Sequence, residues 1–140
     1  MVTSGKVTFD INAFKKSFEA LDVDEIMTYY SPNFEHIEIG ADAPPKSPRK
    51  SGAAEIRGAF EGIRKAGMKL HLENLVVGQG HAACTITVDF TDGRRLVSNT
   101  IYDLRDEKII RQRDVYATDP LESSTGNNLS NEGENIPKYP

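Results

Sequence analysis

Four segments typical of β-strands follow one another in the second half of the chain, joined by only a few residues each. They are residues 68–77, 81–91, 94–104 and 108–116. Parallel neighbours need a crossover of about a dozen residues or more, so these segments are expected to pair as antiparallel hairpins. Glycines suit the turns at 78–80 and 92–93, whereas 105–107 is a poorer turn of similar length. The sequence therefore predicts a four-stranded antiparallel meander.

Three segments upstream carry apolar residues at helical spacing, namely 10–21, 22–31 and 51–67. Asp10 is typical of an N-cap before the first segment. Pro32 disfavours the helical conformation in the residue before it, which predicts that the second helix ends at Ser31. Gly67 suits the left-handed position that follows a helix, so the third helix is predicted to end there. We expect the helices to pack on one face of the sheet.

Residues 34–39, between the second and third helices, alternate in the manner of a short strand. One face of this strand carries Phe34, His36 and Glu38. Residues 40–51 follow with several prolines and lysines and no periodicity, which predicts a loop. The loop could lie over the mouth of a cavity, and the sequence leaves open whether it closes as a lid.

The composition argues against several classes of partner. The net charge is −4 with both signs interspersed, which gives no basis for binding nucleic acid or an anionic membrane. No apolar run reaches the roughly 18 residues of a membrane span and no apolar leader is recognised, so a cytoplasmic protein is expected. The 140 residues suit one core. We predict an N-terminal arm over 1–8, one domain over 9–120 and a polar, flexible tail over 121–140.

Three stretches, in this order, resemble the SnoaL-like group of the nuclear transport factor 2-like superfamily. They are LDVDEIMTYYSPNFE at 21–35, SGAAEIRGAFEGI at 51–63 and SNTIYDLRDEKIIRQRDVY at 98–116. The resemblance implies an α+β, cystatin-like fold, in which a cone-shaped curved antiparallel sheet packs against three N-terminal helices. Ketosteroid isomerase, limonene-epoxide hydrolase and SnoaL-type polyketide cyclases share this fold and bind apolar small molecules inside the cone. Non-catalytic domains share it too, so the fold alone does not decide the function.

Four residues are candidates for acid/base catalysis: Asp114, His36, Glu38 and Asp89. Asp114 resembles the last-strand acid or base of SnoaL-type cyclases, and Glu38 matches the position of the base in ketosteroid isomerase. Asp89 and Asp114 together match the two catalytic aspartates of limonene-epoxide hydrolase. Proton transfer next to carbon requires only a suitable base and a fixed substrate. Asp114 is the first choice and His36 the second.

Each candidate also has a purely structural interpretation. Asp114 could form a salt bridge on the outside of its strand. His36 could bond a backbone carbonyl at the edge of the core. Glu38 could be solvated beside the loop, and Asp89 could help to end its strand before the turn at 92–93. The sequence does not choose between these interpretations.

The resemblance also implies a pocket wall that would bind the substrate. Its predicted members are Phe14, Tyr30, Phe34, Phe60, Thr87, Thr100, Tyr102, Gln112 and Tyr116. Phe14 and Thr100 stand where ketosteroid isomerase keeps the donors of its oxyanion hole, so steroid isomerisation is not the expected reaction. The aromatic members are equally typical of a packed core.

The motifs indicate neither a metal nor a cofactor. His71 and His81 lack metal-ligand spacing to each other and to His36, and no glycine-rich nucleotide motif precedes a helix. The leading hypothesis is an enzyme that isomerises, cyclises or hydrates a small apolar carbonyl compound by acid/base catalysis. The alternatives are a non-catalytic protein that holds a hydrophobic ligand in the same cone, a dimeric assembly module, and an epoxide hydrolase.

The segment around Cys84 raises the question of which sheet face is buried. Cys84 is the only cysteine and is expected to be a buried thiol. An apolar set, Cys84, Ile86, Val88 and Phe90, alternates with a polar set, Thr85, Thr87 and Asp89, and only one set can fill the core. A homodimer through the outer sheet face is expected under every hypothesis. The apolar set would suit that interface if the polar set faced inward.

Overall fold

The computed structural model describes residues 9–121, and it contains three helices and six strands in one sheet. The helices are α1 (Ile11–Ala20), α2 (Val23–Met27) and α3 (Ala53–Lys65). The strands are β1 (Tyr30–Ile39), β2 (Arg49–Ser51), β3 (Lys69–Val77), β4 (His81–Asp89), β5 (Arg95–Arg105) and β6 (Lys108–Thr118). The sheet order is β2-β1-β6-β5-β4-β3. This is the predicted α+β fold, and the predicted arm over 1–8 lies outside the described residues, as does the tail beyond residue 121.

Strands β3 to β6 form the predicted antiparallel meander. Strand β1 pairs with β6 in parallel, and β2 pairs antiparallel with β1. The β1–β6 pairing joins the two halves of the chain, because it brings a strand that follows α2 against the last strand. Within residues 9–121, no helix is long and apolar enough to span a membrane.

The helix ends follow the predicted capping chemistry. The Asp10 carboxylate accepts a hydrogen bond from the backbone N–H of Ala13, as an N-cap should. Gly67 has a φ of 77° and follows the C-cap of α3. The amphipathic faces of α1 and α3 then bury Phe14, Phe18 and Phe60 against the sheet.

Two predicted boundaries were wrong. Helix α2 ends at Met27 rather than Ser31, because the chain enters β1 at Tyr30 and the carbonyl of Tyr29 accepts a 2.8 Å bond from the Ile109 N–H. This pairing with β6 satisfies the backbone better than a further helical turn would. The segment 40–51 is also more ordered than predicted, since its last three residues form β2.

Alternation in β4 resolves which set of side chains is inside. Cys84, Ile86 and Val88 are buried, whereas Thr85, Thr87 and Asp89 face outward and are half-buried. The condition for an apolar dimer face built on Cys84 is therefore not met. Burial raises the pKa of the Cys84 thiol to about 12, as expected for a core cysteine.

Aromatic rings fill the space between the helices and the sheet. Phe14 contacts Phe18 and Tyr102 with ring centroids 5.5 and 5.7 Å apart, and Tyr30 contacts Phe34 at 4.7 Å. These rings, together with Phe60, are buried. Five predicted pocket residues, Phe14, Tyr30, Phe34, Phe60 and Tyr102, therefore belong to the packed core. A cleft remains at the β1–β2 edge of the sheet, beside α3.

Candidate active site

A buried histidine and aspartate meet on the inner face of the sheet, where β1 lies against β6. The parallel register sets His36 level with Gln112 and Glu38 level with Asp114. Nε2 of His36 lies 2.7 Å from Oδ2 of Asp114, and both residues are buried. An ionised carboxylate only accepts hydrogen bonds, so Nε2 is the donor to ionised Asp114, and Nδ1 is then the basic nitrogen of the ring whenever His36 is neutral. The pair is an imidazole oriented by a carboxylate.

Further donors surround the Asp114 carboxylate. The Thr100 hydroxyl donates to Oδ1 at 2.8 Å, and Nε2 of Gln112 lies 3.0 and 3.1 Å from the two oxygens. Because Thr100 gives its only proton to Asp114, Ser98 is the donor in their 3.1 Å contact. Tyr30 donates to Oε1 of Gln112 at 3.0 Å. The hydrogen-bond partners of the Asp114 side chain are therefore all donors, and the Glu38 carboxylate also lies within 4.8 Å.

A cleft of about 380 Å³ opens beside His36, between α3 and the β1–β2 hairpin. Its lining residues are His36, Glu38, Arg49, Lys50, Ser51, Glu55, Ile56 and Ala59. The volume lies at the small end of the range of ligand pockets. Because Nε2 of His36 is occupied by Asp114, Nδ1 is the nitrogen that a ligand in this cleft would meet.

A larger groove of about 450 Å³ lies on the outer face of the sheet. Its walls include the apolar side chains of Ile37, Ile39, Ile101 and Val115. The groove also borders Asp114, but the Asp114 side chain bonds His36 and Thr100 on the inner face. The smaller cleft, which His36 lines, is therefore the candidate site despite the greater volume of the outer groove.

Glu38 reaches the cleft as one half of an ion pair. Nε of Arg49 lies 2.9 Å from its carboxylate, and Nη2 of Arg49 donates to the Tyr116 hydroxyl at 2.8 Å. Tyr116 in turn donates to Asp42 at 2.7 Å, and this bond, ahead of the charge of Arg49, lowers the pKa of Asp42. The hydrogen bonds from Arg49 to Glu38 and Tyr116 raise the pKa of the guanidinium, which stays charged. We call Arg49, Tyr116 and Asp42 the hairpin clasp.

Gly40, directly after β1, allows the Tyr116 ring to lie close to the backbone. A Cβ at this position would lie 2.2 Å from the ring, so only glycine leaves room for it. The clasp fixes the segment 40–49 against β6. Tyr116 is therefore a hairpin contact at the rim. Sequence analysis missed Arg49 because residues 40–51 were interpreted as a loop without periodicity. The opposite charges of Glu38 and Arg49, which are cross-strand partners, were the available signal.

The structure does not bring Asp89 to the other candidates. Asp89 faces outward and bonds Nε2 of His71 at 3.0 Å and Nε of Arg95 at 2.7 Å. The bond from Arg95 lowers the pKa of Asp89. Thr87 shares this outward face of β4. The pair of aspartates implied by limonene-epoxide hydrolase is thus split between two faces, because strand alternation separates Asp89 from the cone.

A cation could be held by His36, Glu38 and Asp114, whose ligand atoms lie within 4.8 Å of one another. Each already has a partner: His36 and Asp114 bond each other, and Arg49 bonds Glu38. A divalent ion would have to displace the guanidinium from Glu38. The spacing of histidines could not reveal this cluster, since its members come from two distant strands. The prediction that the protein has no metal stays a prediction.

The comparisons with known proteins agree with this architecture. The profile of the SnoaL-like domain family matches residues 11–112, and the chain belongs to this family. No curated protein matches the chain. The family and the sheet topology together confirm the fold implied by the resemblance.

Solved structures share the fold at low sequence identity. A candidate ketosteroid isomerase from Kribbella flavida is 15% identical with a TM-score of 0.61, over 80% of this chain and 77% of that one. A cystatin-like protein of unknown function from Methylobium petroleophilum is 18% identical with a TM-score of 0.62, over 80% and 76%. A candidate polyketide cyclase from Xanthomonas campestris is 15% identical with a TM-score of 0.54, over 75% and 85%. At these identities the likeness concerns the fold alone.

Proposed function

We propose that this protein is a cofactor-independent enzyme that moves a proton on a small carbonyl compound, with His36 as the general base. The observation that carries the proposal is the buried 2.7 Å bond between His36 and Asp114 at the wall of a cleft. Asp114 is fully occupied by donors, which makes it the partner of the base rather than the base itself. This reverses the order of preference that the sequence suggested.

The reaction begins at a carbon next to the carbonyl group. Nδ1 of His36 takes a proton from this carbon, and the electron pair of the C–H bond passes into the carbonyl to form an enolate. The imidazolium that results is stabilised by the adjacent Asp114 carboxylate. Return of the proton to a different carbon completes an isomerisation. Attack of the enolate carbon on a second carbonyl of the same molecule gives an aldol cyclisation, in which the new alkoxide takes the proton back.

Arg49 is the group best suited to the developing oxyanion. A guanidinium has five N–H donors, and the hydrogen bonds of Arg49 go to Glu38, Tyr116 and Asp42. At least one N–H therefore remains for a substrate oxygen in the cleft. Such a donor stabilises the enolate because it is held in place before the reaction begins. The Phe14 ring is packed in the core, so the oxyanion donor of a steroid isomerase is not reproduced there.

The walls of the cleft bear on the substrate class. Ile56 and Ala59 supply an apolar wall, whereas Glu38, Arg49 and Glu55 supply charge. This mixture supports a small carbonyl compound with a more polar end than the apolar carbonyl compound expected from the sequence. Epoxide hydrolysis loses support because Asp89 faces outward. Homodimerisation and a cytoplasmic location stay predictions, and Val97, Ile101 and Val115 are among the exposed apolar residues that a dimer face could use.

Deuterium incorporation from D₂O into small ketones and hydroxyketones, followed by NMR, tests the proposal. The protein is expected to accelerate exchange next to the carbonyl for at least one compound. His36→Gln should reduce that rate by roughly 100-fold or more, the usual contribution of a general base. His71→Gln is the matched control, because His71 also bonds an aspartate but lies outside the cleft.

The outcomes separate the candidate functions. Binding in the cleft without accelerated exchange, measured by chemical shift changes at His36, would favour the non-catalytic ligand-binding protein. Equal rates for His36→Gln and the unmodified protein would overturn the role of His36.

A further inference from the structure

We infer that Gln112 and Tyr30 are positioning residues, which hold Asp114 so that His36 keeps its proton on Nε2 and leaves Nδ1 free to act as the base. The inference rests on the proposed function for its catalytic meaning. Neither residue touches the cleft. The two residues form a chain of hydrogen bonds that runs from the aromatic core to the imidazole.

Gln112 is the residue that fixes the Asp114 carboxylate. Its Nε2 lies 3.0 Å from Oδ1 and 3.1 Å from Oδ2, so the amide NH₂ group contacts both oxygens. Thr100 donates to Oδ1 alone. The remaining strong acceptor position is on Oδ2, which is where His36 donates at 2.7 Å. Rotation of the carboxylate would break the contact with Gln112, so the two donors define where Nε2–H must point.

The orientation of the Gln112 amide follows from its two neighbours. If the amide were turned over, its oxygen would face the Asp114 carboxylate at about 3 Å, and two acceptors would repel each other. In the observed orientation Oε1 accepts from the Tyr30 hydroxyl at 3.0 Å. Burial, together with the nearby charge of Asp114, raises the pKa of Tyr30 well above its ordinary value. The phenol therefore stays protonated and remains a donor.

The Tyr30 hydroxyl is not needed to fill the core. The Tyr30 ring packs against three phenylalanine rings, those of Phe14, Phe34 and Phe60. A phenylalanine would occupy the same space at position 30. What the hydroxyl adds is the bond to Gln112. Without it, Oε1 would be a buried acceptor with no partner, and the amide would lose one of the two contacts that fix its orientation.

Long-range ¹H–¹⁵N NMR of the full-length protein with labelled histidine tests the inference without a substrate. The chain has three histidines, so His71→Gln and His81→Gln assign the spectrum. Neutral His36 is expected as the Nε2–H tautomer, with a slowly exchanging, downfield proton. Tyr30→Phe should speed the exchange of that proton about fivefold, as expected for the loss of one neutral hydrogen bond. Tyr29→Phe is the matched control, since the Tyr29 ring packs on Phe9 and Phe14 instead.

A second variant keeps the test decisive if Tyr30→Phe does not fold. Gln112→Met preserves the approximate volume of the side chain. It removes the contacts with the Asp114 carboxylate as well as the bond from Tyr30, so its effect should be at least as large. Circular dichroism establishes that each variant is folded. A folded variant of either kind that keeps the tautomer and exchange rate of the unmodified protein would overturn the inference, even if its melting temperature fell.

The result is distinguishable from failure of the proposed function. If Tyr30→Phe changes the His36 signal but His36→Gln leaves deuterium exchange intact, positioning is correct and the catalytic role is wrong. With an active substrate, Tyr30→Phe should lower kcat and leave KM unchanged, because Tyr30 does not contact the ligand. A rise in KM with unchanged kcat would contradict a positioning role.

Discussion

Two histidine–aspartate pairs lie on opposite faces of the same sheet. They contain the same two residue types and differ in burial and in their other hydrogen-bond partners. His36 and Asp114 are 2.7 Å apart, with side chains 9% and 11% exposed. His71 and Asp89 are 3.0 Å apart, with side chains 41% and 31% exposed. The Asp114 carboxylate also accepts hydrogen bonds from Thr100 and Gln112, whereas Asp89 also pairs with the Arg95 cation. The comparison teaches that burial and supporting hydrogen bonds, rather than the pair itself, define the candidate site.

The largest expected difference between the pairs is in stability. Asp114→Ala removes the partner of buried His36, Thr100 and Gln112, and breaking a buried pair in this way costs about 3 kcal/mol or more. Asp89→Ala should have a much smaller effect, because water can replace its contacts. Urea denaturation of both variants measures the difference. Similar losses in the two variants would show that the inner network is no more tightly coupled than the outer pair.

The second difference is the hairpin clasp, whose Arg49 bonds the Glu38 carboxylate in the same cleft as His36. Gly40→Ala places a methyl group against the Tyr116 ring, and the resulting displacement should cost about 1–3 kcal/mol. Gly58→Ala is the matched control, since nothing lies within 4 Å of its added Cβ and alanine favours a helix. Thermal unfolding should show a lower melting temperature for Gly40→Ala only. A neutral Gly40→Ala would mean that the ring moves freely and that the clasp is weak.

The smallest expected effect concerns the outer pair and its pH dependence. The bond from Arg95 lowers the pKa of Asp89 below its ordinary value of 3.8, so ionised Asp89 stabilises the folded state. This contribution is present above the unfolded pKa and is lost as the pH falls through the lowered folded pKa. Asp89→Asn should therefore be less stable than the unmodified protein at pH 7, with the difference disappearing in strong acid. A difference that is equal at both pH values would contradict this assignment.

Sequence periodicity predicted which inner-site residues share a strand face. His36 and Glu38 were placed together on one face of a strand, and the structure has them on β1. Gln112 and Asp114 are likewise two residues apart in β6. The register that joins them was beyond reach, because β1 pairs in parallel with a strand about 75 residues away in sequence. For the same reason, the clasp and the partner of Gln112 could not be predicted. These contacts depend on tertiary pairing rather than on local pattern.

Alternation alone could not decide which side of β4 faces the helices. The polar set and the apolar set have the same period, so Asp89 was retained as a catalytic candidate until the structure placed it with His71 and Arg95. Capping and turn chemistry were more informative. Asp10 and Gly67 occupy their predicted places because helix ends depend on a few neighbouring residues.

The position of a bound carbonyl ligand tests the account most directly. Crystals grown with a ketone or hydroxyketone that exchanges deuterium should show the ligand in the cleft, with the reacting carbon beside Nδ1 of His36 and the oxygen towards Arg49. The Nε2 bond to Asp114 should be retained in that complex. A ligand seated in the outer groove between Ile101 and Val115, with the inner cleft closed, would contradict the assignment of the active site.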